Sequence, residues 1–303
     1  MNKGAVAAIV LVTVVVAIGG LAFAQARLKD DHGRNFATAA TLAVLDGGPV
    51  SLAPGGAPLT APFDLPILMY HHVVPALPED EFQANLSVTT DEFAAQAAYL
   101  KCAGYTAITM AQLFDAIEGK VALPERPVML TFDDGNDDAY TQAYPVLRQN
   151  GLVGSFAVIT GYIEAGGPFL TWAHIREMSD AGMEMMSHSV SHSDLGASDD
   201  DTVRVQIADS RAVLEAHTGR EVRFLVYPSG EPFRSGSAER QSQVVALLQE
   251  AGYRGALLAG PGSTRQDPAA PFALNRLRMF PGEDPYTFAA SIGGPSPSEV
   301  GCG

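Results

Sequence analysis

The sequence predicts an α/β fold, a closed or nearly closed (β/α) barrel of about seven strand–helix units, over residues 64–290. Two observations predict it. Short apolar runs with strand composition alternate with longer segments whose apolar residues recur at helical spacing. The alternation continues from near residue 67 to residue 290, which is typical of a parallel sheet with crossover helices. The number of units favours a barrel over an open doubly wound sheet.

The predicted elements follow one another without long interruptions. The first strand is the apolar run Ile67 to Tyr70, and the first helix begins at Thr90 or Asp91 and ends at Gly104. The later strands and helices alternate as YTAIT, MAQLFDAIEG, PVMLTF, AYTQAYPVLRQNG, VGSFAVI, TWAHIREMSDAG, MEMMSHS, DTVRVQIADSRAVLEAHTG, VRFLVYP, AERQSQVVALLQEAG and YRGALLA. In such a fold the active groups gather at the C-terminal ends of the strands.

The N-terminus predicts export from the cytoplasm. Residues 4–24 follow Lys3 and carry no charge, and as a helix they would extend about 31 Å, enough to span a bilayer. The basic start and the small residues Ala22 and Ala24 also fit a cleaved signal. Residues 1–26 are therefore either a signal peptide or a membrane anchor. Both alternatives place the rest of the chain in the periplasm or cell envelope.

The regions that flank the predicted barrel carry no sustained periodicity. Residues 27–63 are rich in Ala, Gly, Pro and Thr and predict a flexible linker, and residues 291–303 predict a disordered tail. The chain has two cysteines, Cys102 and Cys302. One disulfide is possible in an oxidising compartment, but the pairing stays open because Cys302 lies in the predicted tail.

The charge of the chain limits its partners. The formal net charge is -15, from 19 basic and 34 acidic residues. Binding to phosphate backbones needs a basic face, so the sequence predicts no nucleic-acid partner. A membrane partner is expected only through the N-terminal segment, and the sequence assigns no oligomeric state.

Polar side chains follow several of the predicted strands, where a barrel would bring them together. Asp133 and Asp134 follow VMLTF, and two adjacent carboxylates are costly to desolvate unless a cation lies beside them. His188 and His192 follow MEMM and are spaced to share one face of a helical turn. Two imidazoles and one carboxylate form a common catalytic zinc set. Taken singly, the motifs also fit a surface helix pair and a capped turn.

Two motifs carry a family resemblance. TFDDG at 131–135 and SHSVSH at 187–192, in this order, resemble the first two motifs of the polysaccharide deacetylases, the NodB-homology or carbohydrate esterase family 4 enzymes. The resemblance covers about residues 65–290 and implies a distorted (β/α) barrel of the NodB type. It implies that Asp133 is the catalytic base. It also implies a divalent metal, zinc by default with Co, Ni or Fe as alternatives, bound by Asp134, His188 and His192.

The third family motif, Arg-x-Pro-Tyr, is only partly present. Val226, Tyr227, Pro228 and Ser229 stand in its place, so the arginine and the tyrosine are missing. The backbone N–H of Ser229 can still supply an oxyanion donor, because that role needs no side chain. The missing arginine normally orients the base. Either arginine of LNRLRMF can replace it, namely Arg276 or Arg278.

The family's C-terminal Leu-x-His motif has no counterpart after His217. In the circularly permuted branch, the poly-N-acetylglucosamine deacetylases of biofilm exopolysaccharides, the equivalent strand comes first. Met69, Tyr70 and His71 fit that position, which implies that His71 is the general acid. A buried core histidine is the alternative for His71. His72 has the opposite strand phase and is expected to be structural.

The resemblance implies a metal-dependent hydrolase that removes N-acetyl groups from an N-acetylglucosamine-containing polysaccharide, with exopolysaccharide favoured. The products would be acetate and a free amino sugar. Trp172 and Tyr227 are candidates for stacking on sugar rings, with core packing as the alternative. An O-acetyl glycan esterase, a peptidoglycan deacetylase and a glycan-binding module with weakened catalysis remain alternative functions.

Overall fold

The computed structural model of the protein describes residues 50–260 and 262–302. Strands and helices alternate through most of this range. The strands are β1 Phe63–Asp64, β2 Ile67–Tyr70, β3 His72–Val74, β4 Ser87–Thr89, β5 Thr106–Ala107, β6 Pro127–Phe132, β7 Ser155–Val158, β8 Glu184–Ser187, β9 Phe224–Val226, β10 Gly255–Leu257, β11 Arg265–Gln266 and β12 Leu277–Arg278. The helices are α1 Glu81–Asn85, α2 Thr90–Cys102, α3 Met110–Ile117, α4 Tyr144–Asn150, α5 Trp172–Asp180, α6 Asp200–Thr218, α7 Ala238–Glu250, α8 Pro285–Ser291 and α9 Pro297–Val300.

The main sheet is parallel and curls towards closure. Seven of its strands follow the order β10-β9-β8-β7-β6-β2-β12, and β5 also pairs with β6. The two ends of this path approach each other, because Leu257 of β10 forms a parallel bridge with Leu274, just before β12. The sheet is therefore a curled partial barrel with helices, and the prediction of an α/β fold with a parallel sheet is confirmed.

The two faces of the sheet carry separate buried clusters. One face presents Ile67, Met129 and Leu274 together with side chains of α3. The opposite face is covered by α2 and by α4 to α7. Asp133 lies four residues after Met129, and Arg276 lies two residues after Leu274. Because alternate residues of a strand point to the same face, both charged residues lie on the face of these two apolar residues. The alternation of side chains along the strands thus places Asp133 and Arg276 on the face that packs against α3.

The helix starts are set by side-chain caps. Thr89 and Glu92 form a capping box at the start of α2, so the cap lies one residue before Thr90 and two before Asp91, the two predicted positions. Thr171 caps α5 in the same way by accepting a hydrogen bond from the backbone N–H of His174.

The N-terminal part of the described chain packs on the sheet domain. The backbone N–H of Gly55 donates to the carbonyl of Lys120 at 2.7 Å, and Ala122 donates to Ala53 at 3.0 Å. The prediction of a flexible linker over 27–63 is therefore wrong for residues 50–63, because several of their backbone groups are hydrogen-bonded to the sheet domain. Residues 27–49 lie outside the described residues. The predicted signal or anchor at 1–26 also lies outside them. Within the described residues, no helix is both long enough and apolar enough to cross a membrane.

The C-terminal segment is ordered, which corrects the prediction of a disordered tail. Cys302 forms a disulfide with Cys102 at the end of α2. Tyr99 of α2 donates a hydrogen bond to the carbonyl of Pro295 at 2.6 Å, and Ser296 begins a capping box at the start of α9. The disulfide and the Tyr99 hydrogen bond join this segment to α2.

Removing the disulfide should lower the free energy of unfolding. The bond closes a loop across a sequence separation of 200 residues, and its loss from a folded domain typically costs about 2–5 kcal/mol. We expect the double variant Cys102→Ser, Cys302→Ser to unfold at lower urea concentration than the wild type. A reductant should shift the wild-type midpoint in the same direction and leave that of the variant unchanged. An equal response of both proteins would contradict the prediction.

Candidate metal centre and active site

The candidate site lies at the C-terminal edge of the parallel sheet. Asp133 and Asp134 follow β6, and His188 follows β8, two strands away. His71 follows β2, the neighbour of β6 on the other side. Arg276 comes just before β12, which pairs with β2. Adjacent strand ends thus bring together residues that are far apart in the chain.

Asp134, His188 and His192 form a cluster with the composition of a metal site. One ligand atom from each side chain lies within 4.8 Å of the other two. The Nε2 atoms of His188 and His192 are 3.4 Å and 3.8 Å from Oδ1 of Asp134. Nδ1 of His188 donates to the carbonyl of Val226 at 2.8 Å, which turns its Nε2 towards Asp134.

Left-handed backbone turns create this cluster. Asp134 has φ of 73°, so the chain turns directly after β6 and separates its carboxylate from that of Asp133. Ser189 and His192 have φ of 65° and 57°, and they bring His192 back beside His188. The expectation that the histidines share a helical turn is therefore wrong. A non-glycine residue in this region costs of order 1–3 kcal/mol, and such strain is typical of functional sites.

The donor set fits a divalent metal ion. Two imidazole nitrogens and one carboxylate oxygen suit Zn²⁺ and also other transition metals. The surroundings favour added positive charge, because Asp133 and Asp134 contribute two carboxylates. Burial lowers the pKa of His188, but the hydrogen bond that its ring donates to Asp134 and the charges of both aspartates outweigh it, so its pKa is raised.

Asp133 is a buried carboxylate held by a buried arginine. Nη1 and Nη2 of Arg276 donate to its two oxygens at 2.7 Å and 2.8 Å. Arg276 is 0% exposed, and its Nε donates to the carbonyl of Leu258 at 2.6 Å. Burial raises the pKa of Asp133, but Arg276 outweighs it and holds that pKa well below its ordinary value. Asp133 is thus ionised and fixed in orientation, and each oxygen keeps a second lone pair.

Of the two arginines offered by the sequence, only Arg276 reaches Asp133. Arg278 instead donates from Nη2 to the carbonyl of Asn85 at 2.7 Å, at the end of α1. Arg276 therefore makes the contact expected of an arginine that orients Asp133, and Arg278 does not.

His71 faces Asp133 across the site. Its Nε2 lies 3.9 Å from Oδ2 of Asp133, too far for a hydrogen bond. Burial lowers the pKa of His71, and this outweighs the opposing effect of Asp133 and Asp134. Nδ2 of Asn136 donates to the backbone carbonyl of His71 at 3.3 Å.

Asp138 holds the segment that follows His71. Nδ1 of His72 donates to Oδ2 of Asp138 at 2.7 Å, and the backbone N–H of Val73 donates to Oδ1 at 3.2 Å. The hydrogen bond to Asp138 raises the pKa of His72. This contact agrees with the structural assignment of His72. Asn136 and Asp138 were missed by the sequence reasoning; the only available signal was their position directly after the TFDDG motif.

The replaced third motif lies at the same edge of the sheet. Ser229 is exposed, has φ of 56°, and follows β9, the neighbour of β8. The segment is anchored to the metal cluster through the hydrogen bond from His188 to Val226. Its backbone therefore lies at the end of the strand next to the one that His188 follows.

The two predicted sugar-stacking residues belong to the packing of the fold. Tyr227 is 0% exposed, and its hydroxyl donates to the carbonyl of Phe272 at 3.1 Å, so the stacking prediction for its ring is wrong. Trp172 stacks on His217 of α6 with ring centroids 3.8 Å apart and planes 8° apart. This stack covers one face of the indole within the helix layer, which favours the core-packing alternative.

Comparisons with known proteins agree with this arrangement. A family model described as polysaccharide deacetylase matches residues 120–256. The chain contains a polysaccharide deacetylase domain. It is 27% identical over 231 residues to YxkH of Bacillus subtilis (strain 168), which is named for the same family; the match covers 76% of this chain and 77% of that protein. The matched segment holds Asp133, Asp134 and both histidines of the deacetylase cluster.

A solved structure and a second relative extend the comparison. The Streptococcus pyogenes deacetylase PplD, in complex with acetate, superposes with a TM-score of 0.69 at 28% identity, covering 76% of this chain and 99% of that one. The poly-beta-1,6-N-acetyl-D-glucosamine N-deacetylase of Escherichia coli (strain K12) is 30% identical over 128 residues. That match covers 37% of this chain and only 19% of the relative.

Proposed function

We propose that the deacetylase domain removes N-acetyl groups from an N-acetylglucosamine-containing polysaccharide and uses a divalent metal ion to do so. The observation that carries the proposal is the Asp134, His188 and His192 cluster beside a carboxylate, Asp133, that Arg276 orients. The Escherichia coli relative acts, by its name, on poly-beta-1,6-N-acetyl-D-glucosamine, which favours an exopolysaccharide as the substrate.

Three residues are the proposed metal ligands for amide hydrolysis. Asp134, His188 and His192 would hold the ion, and Zn²⁺ is the ordinary choice for this donor set, with Co, Ni or Fe as alternatives. When bound, such an ion supplies Lewis acidity and lowers the pKa of a water.

The proton transfers fall to two further side chains. Asp133 accepts the proton of the attacking water, because it is ionised, buried and fixed in orientation by Arg276. The backbone N–H of Ser229 donates to the oxygen of the acetamide carbonyl as negative charge develops there. His71, on the opposite side of Asp133, donates a proton to the departing sugar amine. The products are acetate and a free amino sugar.

Acetate release from defined N-acetylglucosamine oligomers tests the proposed function. We expect the wild type to release acetate, a chelator to abolish the release, and added Zn²⁺ or Co²⁺ to restore it. The reason is that the proposed reaction needs the ion that Asp134, His188 and His192 would hold. Release that continues unchanged in the chelator would contradict metal dependence. Release from O-acetylated glycans alone would favour the esterase, and oligomer binding without release would favour the glycan-binding module.

We also propose that the protein works outside the cytoplasm. Disulfides persist in oxidising compartments and are rare in the cytosol. The Cys102–Cys302 bond and the uncharged segment at 4–24 both support export. Fractionation of cells that produce the full chain, together with sequencing of its N-terminus, would place the protein and separate a cleaved signal from an anchor.

A further inference from the structure

We propose that Phe280 binds a sugar ring of the glycan next to the unit that is deacetylated, an inference that rests on the proposed function. The register of the sheet places Phe280 at the site. Arg278 of β12 pairs with Met69 of β2, and the backbone N–H of Met279 donates to the carbonyl of Met69 at 3.0 Å. Phe280 and His71 each lie two residues beyond this pair, so both leave the sheet at the same level.

The ring of Phe280 is supported on one side and open on the other. The guanidinium of Arg278 lies over the ring, 5.0 Å from its centroid. That guanidinium is itself held by the hydrogen bond from its Nη2 to Asn85. Phe280 nevertheless remains 46% exposed. The ring is therefore both held in place and accessible, so it can offer its apolar surface to a ligand.

A second exposed ring is linked to Phe280 through Arg278. Phe82 of α1 is 69% exposed and comes one helical turn before Asn85, the residue that accepts the hydrogen bond from Arg278. Arg278 thus connects the segment that carries Phe82 with the segment that carries Phe280.

The chemistry of the site identifies the occupant. His71 is the group proposed to protonate the departing amine, so the sugar that carries this amine must lie beside it. In a polymer the neighbouring sugar extends beyond the reacting unit. The apolar C–H face of a pyranose ring matches the open face of a phenyl ring. Phe280 therefore defines a subsite for a neighbouring sugar of the same glycan chain, and it replaces Tyr227 and Trp172 as the aromatic contact.

The test compares substrates of different length in the variant Phe280→Ala. We expect KM for an N-acetylglucosamine hexamer to rise about tenfold with little change in kcat, because a stacking contact is lost while the reacting groups stay in place. Hydrolysis of an aryl acetate, which has no neighbouring sugar, should be unchanged. Phe280→Trp should restore the KM for the hexamer. The matched control is Tyr286→Ala, since Tyr286 is 53% exposed but lies on α8; its KM should equal that of the wild type.

The outcomes separate this inference from the proposed function. An unchanged KM in Phe280→Ala, an equal loss on the aryl acetate, or an equal effect of Tyr286→Ala would overturn the subsite while the wild type still released acetate. Absence of acetate release by the wild type would instead overturn the function. Calorimetric titration of the hexamer into Asp133→Asn protein, with and without Phe280→Ala, measures the subsite without turnover; equal affinities would also overturn it.

Discussion

The variant Asp133→Asn is expected to lose acetate release while it keeps its metal. The carboxylate is the proposed proton acceptor, and removing a positioned general base typically lowers the rate by about 100- to 10,000-fold. Asn has nearly the same size, but its amide cannot accept the proton. The proposed ion ligands are Asp134 and the two histidines, so the metal content should stay at the wild-type level.

The ion pair between Asp133 and Arg276 makes a stability control necessary for this experiment. Asn can accept only one of the two hydrogen bonds from Arg276, and breaking a buried ion pair costs about 3–5 kcal/mol of stability. The unfolding midpoint of Asp133→Asn should therefore fall. The double variant Asp133→Asn, Arg276→Gln removes the uncompensated charge and should recover stability but no activity. His188→Ala should lose metal as well as activity. Near-normal acetate release by a folded Asp133→Asn protein would show that another group is the base.

The fold and the proposed metal ligands could be predicted because their signals are local. Each of β2, β6 and β8 is a short apolar run directly followed by polar residues, and parallel strands bring such ends together. The presence of Asp133, Asp134 and both histidines at one edge follows from that rule. Arg276 could be offered as a candidate because the third family motif lacks its arginine, and only a few arginines follow β10.

What the sequence reasoning missed depends on backbone geometry or on distant contacts. Spacing by four residues is equally compatible with a helical turn and with the turn that left-handed Ser189 and His192 form. Asp138 and His72 meet across 66 residues, and no local pattern announces such a contact. The tail was predicted as disordered because it shows no sustained periodicity, yet Cys102 holds it through a bond to Cys302.

The variant His71→Ala is expected to lose activity only on substrates whose leaving group needs a proton. An amine departs from an N-acetyl sugar only if it is protonated, whereas the phenolate of an aryl acetate departs without a proton. We therefore expect the rate on N-acetylglucosamine oligomers to fall by about 100- to 10,000-fold and the rate on the aryl acetate to change little. Both rates are measured on the same metal-loaded preparation.

The variant Asp138→Ala is expected to show the same difference between substrates, because Asp138 holds the segment that follows His71. Its loss would release the His72 imidazole and the backbone N–H of Val73, so His71 would lose its fixed position relative to Asp133. We expect about a 10- to 100-fold loss on the oligomers, with the aryl acetate again spared. The control His174→Ala removes a histidine from α5 and should change neither rate. A general loss of structure would lower both rates together, so a parallel fall in Asp138→Ala would mean that Asp138 supports the fold rather than the position of His71.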